Sequence, residues 1–381
     1  MGAKGPRGTT LHEVADRAGV SIATVSRVAR GLDQISVGTR AKVLAAIDEL
    51  NYHPSHFGRA LVKRRHGTLG IVFPGLRGPY YSEVIHGFEV EAVAAEMSLL
   101  ILGTELLGNA DAQVRGMADR ADGLAVMGGT IGDDLILRLA ARGVPIATMA
   151  RTRLAGIPNT RVDNFASTLA LVTHLIQMHG YDRLAFVGNI IGAPDAHERW
   201  RGFLQAHRDA DLTPPGEPLS SAFEQASGAQ AALRILDMSN RPRAIVCGND
   251  EIATGMLSSF AASGVRVPHE IAITGWDDGP FARYATPPLT TISQPARALG
   301  QQTARTLLYQ IEHGQPIEHE VVLSTEPIIR ASCGCPFDPV TDFTMFAGDL
   351  NAYQEGARIN NQVQARATGN GHRSGDSIPG G

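Results

Sequence analysis

The stretch LHEVADRAGVSIATVSRVAR, Leu11 to Arg30, decides how the rest of the chain is read. Leu11, Val14, Ala15 and Ala18 follow the i, i+3, i+4, i+7 spacing of one helical face, with Thr10 as N-cap and Glu13 as its capping-box partner. Gly19 supplies a left-handed turn without a Cβ penalty. Ser21 then caps a second helix whose Val25 and Val28 turn back toward Ala15, where a larger side chain would force the helices apart. This is helix-turn-helix geometry. It leaves the N-terminal edge of the second helix, Ser21, Ile22, Ala23, Thr24, Ser26 and Arg27, free to meet a partner as wide as a DNA major groove.

An ordinary helical hairpin can carry the same Ala, Gly and Val positions, so the charge distribution bears on the choice. Residues 1–66 hold eleven Lys and Arg against five Asp and Glu, whereas the remainder holds 23 against 33. A basic head on an acidic body suits a polyanionic partner, because cationic side chains release the counterions condensed on it. Thr39 to Leu50 reads as a third helix with Val43, Leu44, Ile47 and Leu50 on one face, closing a small core. Pro54 ends that unit and Ser55 can restart a short helix, which one or two turns cannot sustain alone in water.

The pattern T-L-x-x-V-A-x-x-A-G-V-S-x-x-T-V-S-R-V, followed by T-R-x-K-V, N-Y-x-P and G-R-x-L, runs through residues 10–61 and resembles the lactose-repressor (LacI/GalR) family of transcription regulators. The resemblance implies that Ile22, Ala23 and Arg27 read base edges, and that Thr10, Thr39, Tyr52 and Arg59 also belong to the DNA-binding surface. It implies a hinge helix whose Leu61 wedges into the minor groove at the centre of a palindromic operator, prying a base step apart. Ser55 stands where the family usually has Asn and Gly58 where it usually has Ala. Glycine for alanine costs a helix roughly 1 kcal/mol, so this hinge is expected to be disordered off DNA and easy to melt.

With 381 residues, 43% hydrophobic and 19% charged, the chain suits two or three soluble domains. The apolar runs are strand-length, far short of a bilayer span, and no apolar signal-peptide core follows the start. The expectation is a cytoplasmic protein with no membrane partner. Three cysteines build no disulfide framework. Cys333 and Cys335 form a C-x-C pair, read as two free thiols because no Cys or His cluster lies close in sequence and a zinc site needs four ligands. Cys247 reads as core. No cofactor and no metal are expected.

From Thr68 onward apolar runs alternate with amphipathic patterns. TLGIVF (68–73), SLLILG (98–103), GLAVM (123–127) and VPIATM (144–149) read as buried parallel strands, with helices near 80–96, 110–120 and 132–142. RLAFVG (183–188), RAIVC (243–247) and EIAIT (270–274) form a second series, with helices near 165–179, 195–210, 225–237 and 249–263. The fold class is therefore α/β: a helix-turn-helix head and hinge helix, then two doubly wound parallel-sheet lobes with a ligand crevice at the carboxyl ends of their strands. The resemblance implies the bilobal fold of periplasmic sugar-binding proteins over this body. The expected divisions are 9–54 for the head, 55–66 for the hinge and linker, and 67–332 for the body. The first lobe takes about 67–163 and 293–324, the second about 164–292 and 325–332, and 333–381 is expected to be a disordered tail.

Tyr80 and Tyr81, after the first strand, are candidates for an aromatic wall of the crevice, with core packing as the plain alternative. Arg199 in R-W-R-G-F and Asp277 after Thr274-Gly275-Trp276 offer a guanidinium fork and a carboxylate that, facing each other across the cleft, can each take two hydroxyls; a simple interlobe salt bridge is the alternative. The resemblance adds Phe223 and Asn249 as effector-contacting positions, and Trp276 fits a platform for a ring. Asp163-Asn164 read as structural. Met149-Ala150 replace a polar or acidic residue common in relatives, which leaves open whether the effector is a sugar or, second, a nucleobase or nucleoside. The helix Ala296–His313, with Leu299, Thr303, Leu307 and Ile311 on one face, is expected to pack on the first lobe, and the resemblance implies a homodimer.

No G-x-x-x-x-G-K-[ST], G-x-G-x-x-G or G-x-S-x-G is present, so the chain does not read as an enzyme. Gly188 to Gly192 reads as a strand-to-helix turn, and Asp277-Asp278 lack the further carboxylates of a Mg²⁺ site. The reading is a repressor bound to double-stranded DNA and controlled by a small effector, with induction and corepression both open. A solute-binding protein with a vestigial head and an architectural DNA binder without effector are its rivals.

Overall fold

The computed structural model describes residues 9–29, 35–50, 52, 66–314 and 319–336. Residues 53–65, which hold the expected hinge and linker (55–66) up to 65 with Arg59 and Leu61, and most of the expected tail lie outside these residues.

Three helices form the head: α1 (Leu11–Ala18), α2 (Ile22–Ala29) and α3 (Val37–Glu49). The capping box is made in full at Thr10 and Glu13, and Gly19 ends α1 at φ 66°. The Thr24 amide donates to Ser21 Oγ at 3.2 Å, capping α2. Val14, Ala15, Val25, Val28, Val43 and Ala46 close a core of small side chains, and Arg17 of α1 pairs with Glu49 of α3 at 2.6 Å. Two expectations change. Leu44 is 47% exposed, and Ala46 takes the inward position, because Val43, Ala46, Ile47 and Leu50 form the i, i+3, i+4, i+7 face of α3 and Leu44 lies off it. Tyr52, expected at the DNA, is only 7% exposed and packs into the head's core.

The body continues with β1 (Thr68–Phe73), α4 (Pro79–Ala94), β2 (Ser98–Gly103), α5 (Ala110–Ala118), β3 (Gly123–Met127), α6 (Asp133–Ala141), β4 (Ile146–Met149) and β5 (Asn159–Val162). Then come α7 (Asn164–His179), β6 (Leu184–Val187), α8 (Pro194–Asp209), α9 (Gln225–Leu236), β7 (Ala244–Cys247), α10 (Asp250–Ala262), β8 (Ala272–Thr274) and α11 (Pro280–Tyr284). The chain closes with β9 (Thr291–Ser293), α12 (Ala296–His313), β10 (Glu320–Leu323), β11 (Glu326–Ile328) and a 3₁₀ turn at Ala331–Cys333.

A parallel six-stranded sheet in the order β10-β5-β4-β3-β1-β2 forms the first lobe, and a parallel three-stranded sheet, β6-β7-β8, forms the second. The chain passes between lobes at three places: from β5 into α7, from β9 into α12, and from β10 into β11. β5 pairs with β10 on the first-lobe side, β9 pairs antiparallel with β11 on the other, and Ser167 Oγ meets Thr325 Oγ1 beside them.

SLLILG is not a buried strand: β2 is the sheet edge, paired only with β1, and its Ile101 is 42% exposed. α12 packs on the first lobe as its spacing predicts, with Leu299, Thr303 and Leu307 buried. The contact with α4 is backbone against backbone. A Cβ placed on Gly87 would lie 1.9 Å from Arg297 O, and one on Gly300 2.0 Å from Val84 O, so only glycines allow this crossing. Among the described residues no helix is long and apolar enough to cross a membrane.

Candidate functional site

Two surfaces collect the candidate residues. On the head, packing Val25 and Val28 inward turns the opposite edge of α2 to solvent: Ser21, Ile22, Ala23 and Arg27 are exposed, Ile22 by 39%, while Thr24 and Ser26 are half-buried. Thr10 is exposed, but its hydroxyl is engaged with Glu13, and Thr39 is half-buried at the start of α3, where it accepts from Ser36 Oγ at 2.9 Å.

The second surface is a cleft of about 300 Å³ between the lobes, at the carboxyl ends of both strand sets. Tyr80, Tyr81, Arg199, Phe223, Asn249 and Asp277 all line it. From the first lobe, Pro79 opens α4 and sets Tyr80 and Tyr81 edge to face, 5.4 Å apart, with Tyr81 also edge-on to Phe73 at 5.5 Å. From the second, α8 begins at Pro194 and brings Asp195 and Arg199, one turn apart, to the same wall.

Arg199 is buried and fully directed. Its Nε donates to Asn164 Oδ1 at 2.8 Å, Nη1 donates to Gly248 O, and the guanidinium carbon stands 4.1 Å from the Trp276 ring centroid. Asn164 thus has the structural role expected of it, as does Asp163, which caps α7 by accepting from the Ala166 amide at 3.0 Å. Trp276 does not offer a platform to a ligand. It is 2% exposed, lies in a small core with Val162, Leu171 and Ile292, and Arg199 takes up its face.

Asp277 follows β8 through Gly275 and Trp276. It has φ 118° and Asp278 has φ 54°, left-handed conformations that cost a non-glycine residue about 1–3 kcal/mol and persist only where the surroundings hold them. Here Asp277 N–H donates to Ile292 O at 2.9 Å, Gln294 Nε2 donates to Asp277 Oδ1, and Asp278 pairs with buried Arg330 at 2.8 Å. Asp278 is therefore a structural anion and not half of a Mg²⁺ site. Arg199 and Asp277 do not face each other from opposite lobes. Both belong to elements of the second lobe, and the two tyrosines supply the other side.

Burial pushes the Asp277 carboxyl up to about 7, against the pull of Arg199 and the Gln294 hydrogen bond. Burial likewise raises Asp195, opposed by Arg199, and lowers Arg199, opposed by Asp277 and Asp195. Tyr80 is raised by burial and then by Asp195 and Asp277; Tyr81 is raised to about 12, mainly by burial. Asp195, Asp277 and Arg199 thus form a poorly solvated cluster in the cleft, whose wall also carries Arg77, Glu105, Glu224 and Glu251.

Sequence reasoning missed Asp195, Asn189, Glu251 and Gln294, all of which line the cleft. Asp195 carries a usable signal, four residues before Arg199 at a proline-started helix; Gln294 carries none, because its role depends on β9 lying beside Asp277. Asn249 does double duty, capping α10 by accepting from the Ile252 amide at 2.9 Å while its amide nitrogen donates to Glu251 Oε2 at 3.3 Å.

Comparison with known proteins gives two family matches. Residues 10–55 match the family described as bacterial regulatory proteins, lacI family, and residues 172–333 match the periplasmic binding protein-like domain. The chain is 33% identical over 329 residues to the HTH-type transcriptional repressor PurR of Photobacterium profundum, covering 85% of this chain and 98% of that protein. Among solved structures it resembles the lac repressor dimer bound to operator and the anti-inducer ONPF, with TM-score 0.76, 27% identity and coverage of 86% and 99% of the two chains. It also resembles a transcriptional regulator CelR-cellobiose complex, with TM-score 0.65, 28% identity and coverage of 85% and 99%.

Proposed function

The chain belongs to the lacI family of bacterial regulatory proteins, and from that premise we propose a cytoplasmic repressor that grips a palindromic operator as a homodimer and is switched by a sugar or sugar-like polyol held between its lobes. The observation that carries the ligand half is the convergence of Asp195, Arg199 and Asp277 on one cleft opposite Tyr80 and Tyr81. Two carboxyls accept from vicinal hydroxyls, a guanidinium donates to them, and aromatic rings cover the apolar face of a pyranose; that mix suits an uncharged polyhydroxylated guest. The similar CelR regulator forms a complex with cellobiose, which supports the same reading.

On DNA, Ser21, Ile22, Ala23, Thr24, Ser26 and Arg27 are the residues we assign to the major groove, with Thr10 and Thr39 at the flanking phosphates. Arg59 and Leu61 are assigned to the linker and minor groove. Tyr52 supports the head from within. The proposed divisions are a head (9–54), a linker (55–66) and a body from 67; the expected body end at 332 moves to at least 336, because Cys333 is buried in the second-lobe core with Cys335 packed against it, and the expected tail (333–381) shortens accordingly. The exposed Val90 and Val93 of α4, together with the open edge at Ile101, form the apolar face on which a second copy would pack. The lac repressor is a dimer on its operator, which supports this.

The ligand can act only by favouring one lobe arrangement over another, and DNA affinity changes to the extent that the arrangement sets the spacing of the paired heads. A nucleobase or nucleoside is the second reading, favoured by the rings of Phe223, Tyr80 and Tyr81 around the cleft. Genome-wide binding followed by titration of operator affinity against sugars, polyols and nucleosides tests both. A palindrome whose occupancy shifts several-fold with one polyol supports the proposal; specific binding that no small molecule shifts removes the cleft from the mechanism.

A further inference from the structure

Two segments distant in sequence meet at the far end of α7. His179 is the last residue of that helix, stopped by Gly180 in the left-handed region, and His174 lies five residues before it, with the two imidazole centroids 5.1 Å apart. The other segment is the chain's return after β11. Thr290 and Arg330 exchange hydrogen bonds through the Thr290 hydroxyl, and Ser332 Oγ donates to Ile273 O at 2.6 Å, which nails the 3₁₀ turn to the second lobe. Gly334, at φ 109°, then reverses the chain and sets Cys335 beside Cys333.

The result is four soft or borderline donors facing one point. The ligand atoms of His174, His179, Cys333 and Cys335 all lie within 4.8 Å of one another. Cys335 Sγ is 3.5 Å from His174 Nε2 and 3.4 Å from His179 Nε2, and Cys333 Sγ is 3.9 Å from His174 Nε2. A tetrahedral zinc with Zn–S near 2.3 Å and Zn–N near 2.0 Å spaces neighbouring sulfur and nitrogen by about 3.5 Å. The surroundings hold the donors in this pose. Tyr181 stacks on His179 with 20° between planes and donates its hydroxyl to Cys333 O at 3.0 Å. A Cβ on Gly334 would meet Tyr181 Oη at 3.1 Å and His179 Nδ1 at 3.2 Å, a tight fit, and the φ of 109° strains any L side chain there, so glycine suits this close passage over the imidazole.

We propose that His174, His179, Cys333 and Cys335 form a four-coordinate zinc site that staples residues 331–336 to the end of α7. This replaces the sequence-based expectation of two free thiols. Binding Zn²⁺ expels two thiol protons, and two thiolates with two neutral imidazoles leave the centre without net charge, which suits its half-buried position. With all four positions taken by protein the site is closed and structural. Its reach is specific: three residues before Cys333, Arg330 holds Asp278 in the strained turn that carries Asp277.

The test uses the full-length protein. Metal content is measured after purification without chelator, the metal is then stripped under reducing conditions, and the protein is titrated with Co²⁺ and Zn²⁺. The expected result is one metal per chain, a cobalt spectrum with tetrahedral ligand-field bands and a thiolate charge-transfer band, and a lower Tm for the stripped protein. Cys335→Ser and His179→Ala, both at half-buried positions, are each expected to weaken cobalt affinity at least tenfold, while Cys247→Ser leaves it unchanged. Folded, stripped protein that takes up no Co²⁺, undiminished uptake by Cys335→Ser, or a mass showing Cys333 and Cys335 joined as a disulfide in freshly reduced protein each overturns the proposal.

Discussion

Arg199 and Trp276 form a stacked pair in which the indole is the seat and the guanidinium, 4.1 Å above it, is the face shown to the cleft. A lysine has neither the plane to stack nor the fork that reaches both Asn164 and Gly248. Arg199→Lys is therefore expected to weaken effector binding by about 1.5–3 kcal/mol, the worth of hydrogen bonds to a charged group. Operator affinity without effector stays as it was. Titration calorimetry of the variant with the identified effector checks the first part; a variant that binds effector normally would remove Arg199 from the site.

Asp277 links the cleft to pH. Its carboxyl is raised from the ordinary value of 3.8 to about 7. Between about pH 4 and pH 7 the folded protein therefore holds a proton that the unfolded chain releases, and stability falls as pH rises through that window. Asp195 and Asp250, raised in the same direction by burial, add to the slope. Urea midpoints across the window are expected to decline with pH, and Asp277→Asn is expected to flatten the decline. A ligand hydroxyl donating to Asp277 favours its charged form, so effector affinity rises in the same range.

The crossing of α4 and α12 leaves no space for a methyl group. Gly300→Ala would put a Cβ 2.0 Å from Val84 O, and because the obstacle is backbone, one helix must move. We expect a loss of about 1–3 kcal/mol, the usual cost of overpacking, seen as a lower thermal midpoint with the cleft residues still in place. Gly116→Ala, where a Cβ meets nothing within 4 Å, is the matched control.

On the head, Ile22→Lys and Arg27→Ala change side chains that are exposed and outside the packing around Val25 and Val28. Each is expected to reduce specific operator binding by roughly 1–3 kcal/mol per lost base contact, with a much smaller effect on random DNA. Equal losses on both would assign the residue to the phosphate backbone.

Much of this architecture is legible in sequence where a signal is local. Thr10, Glu13 and Gly19 announce a helix and its end within ten residues, and TLGIVF and GLAVM are apolar enough to be strands in any context. β5, β9, β10 and β11 escape because they are three or four residues long and carry Asn, Arg, Thr, Ser or Glu; pairing with segments distant in sequence, β5 with β10 and β9 with β11, makes them strands. Trp276 and Tyr52 look like surface aromatics because the residues that bury them are distant in sequence: Val162, Leu171 and Ile292 for Trp276, and Val14 and Val25 among others for Tyr52. His174 and His179 give no signal for the same reason: nothing near them in sequence suggests that Cys333 and Cys335 fold back onto the end of their helix.

The three connections between the lobes lie side by side, with the β10 to β11 passage flanked by β5 on one side and β9 on the other. Three strands abreast span about 10 Å at the ordinary inter-strand spacing. Such a strap resists twisting about its length and sliding across its width, but it flexes readily about a line running across the three strands. The body is left with one easy degree of freedom. A guest seated between the lobes would be expected to act on the body through that single angle.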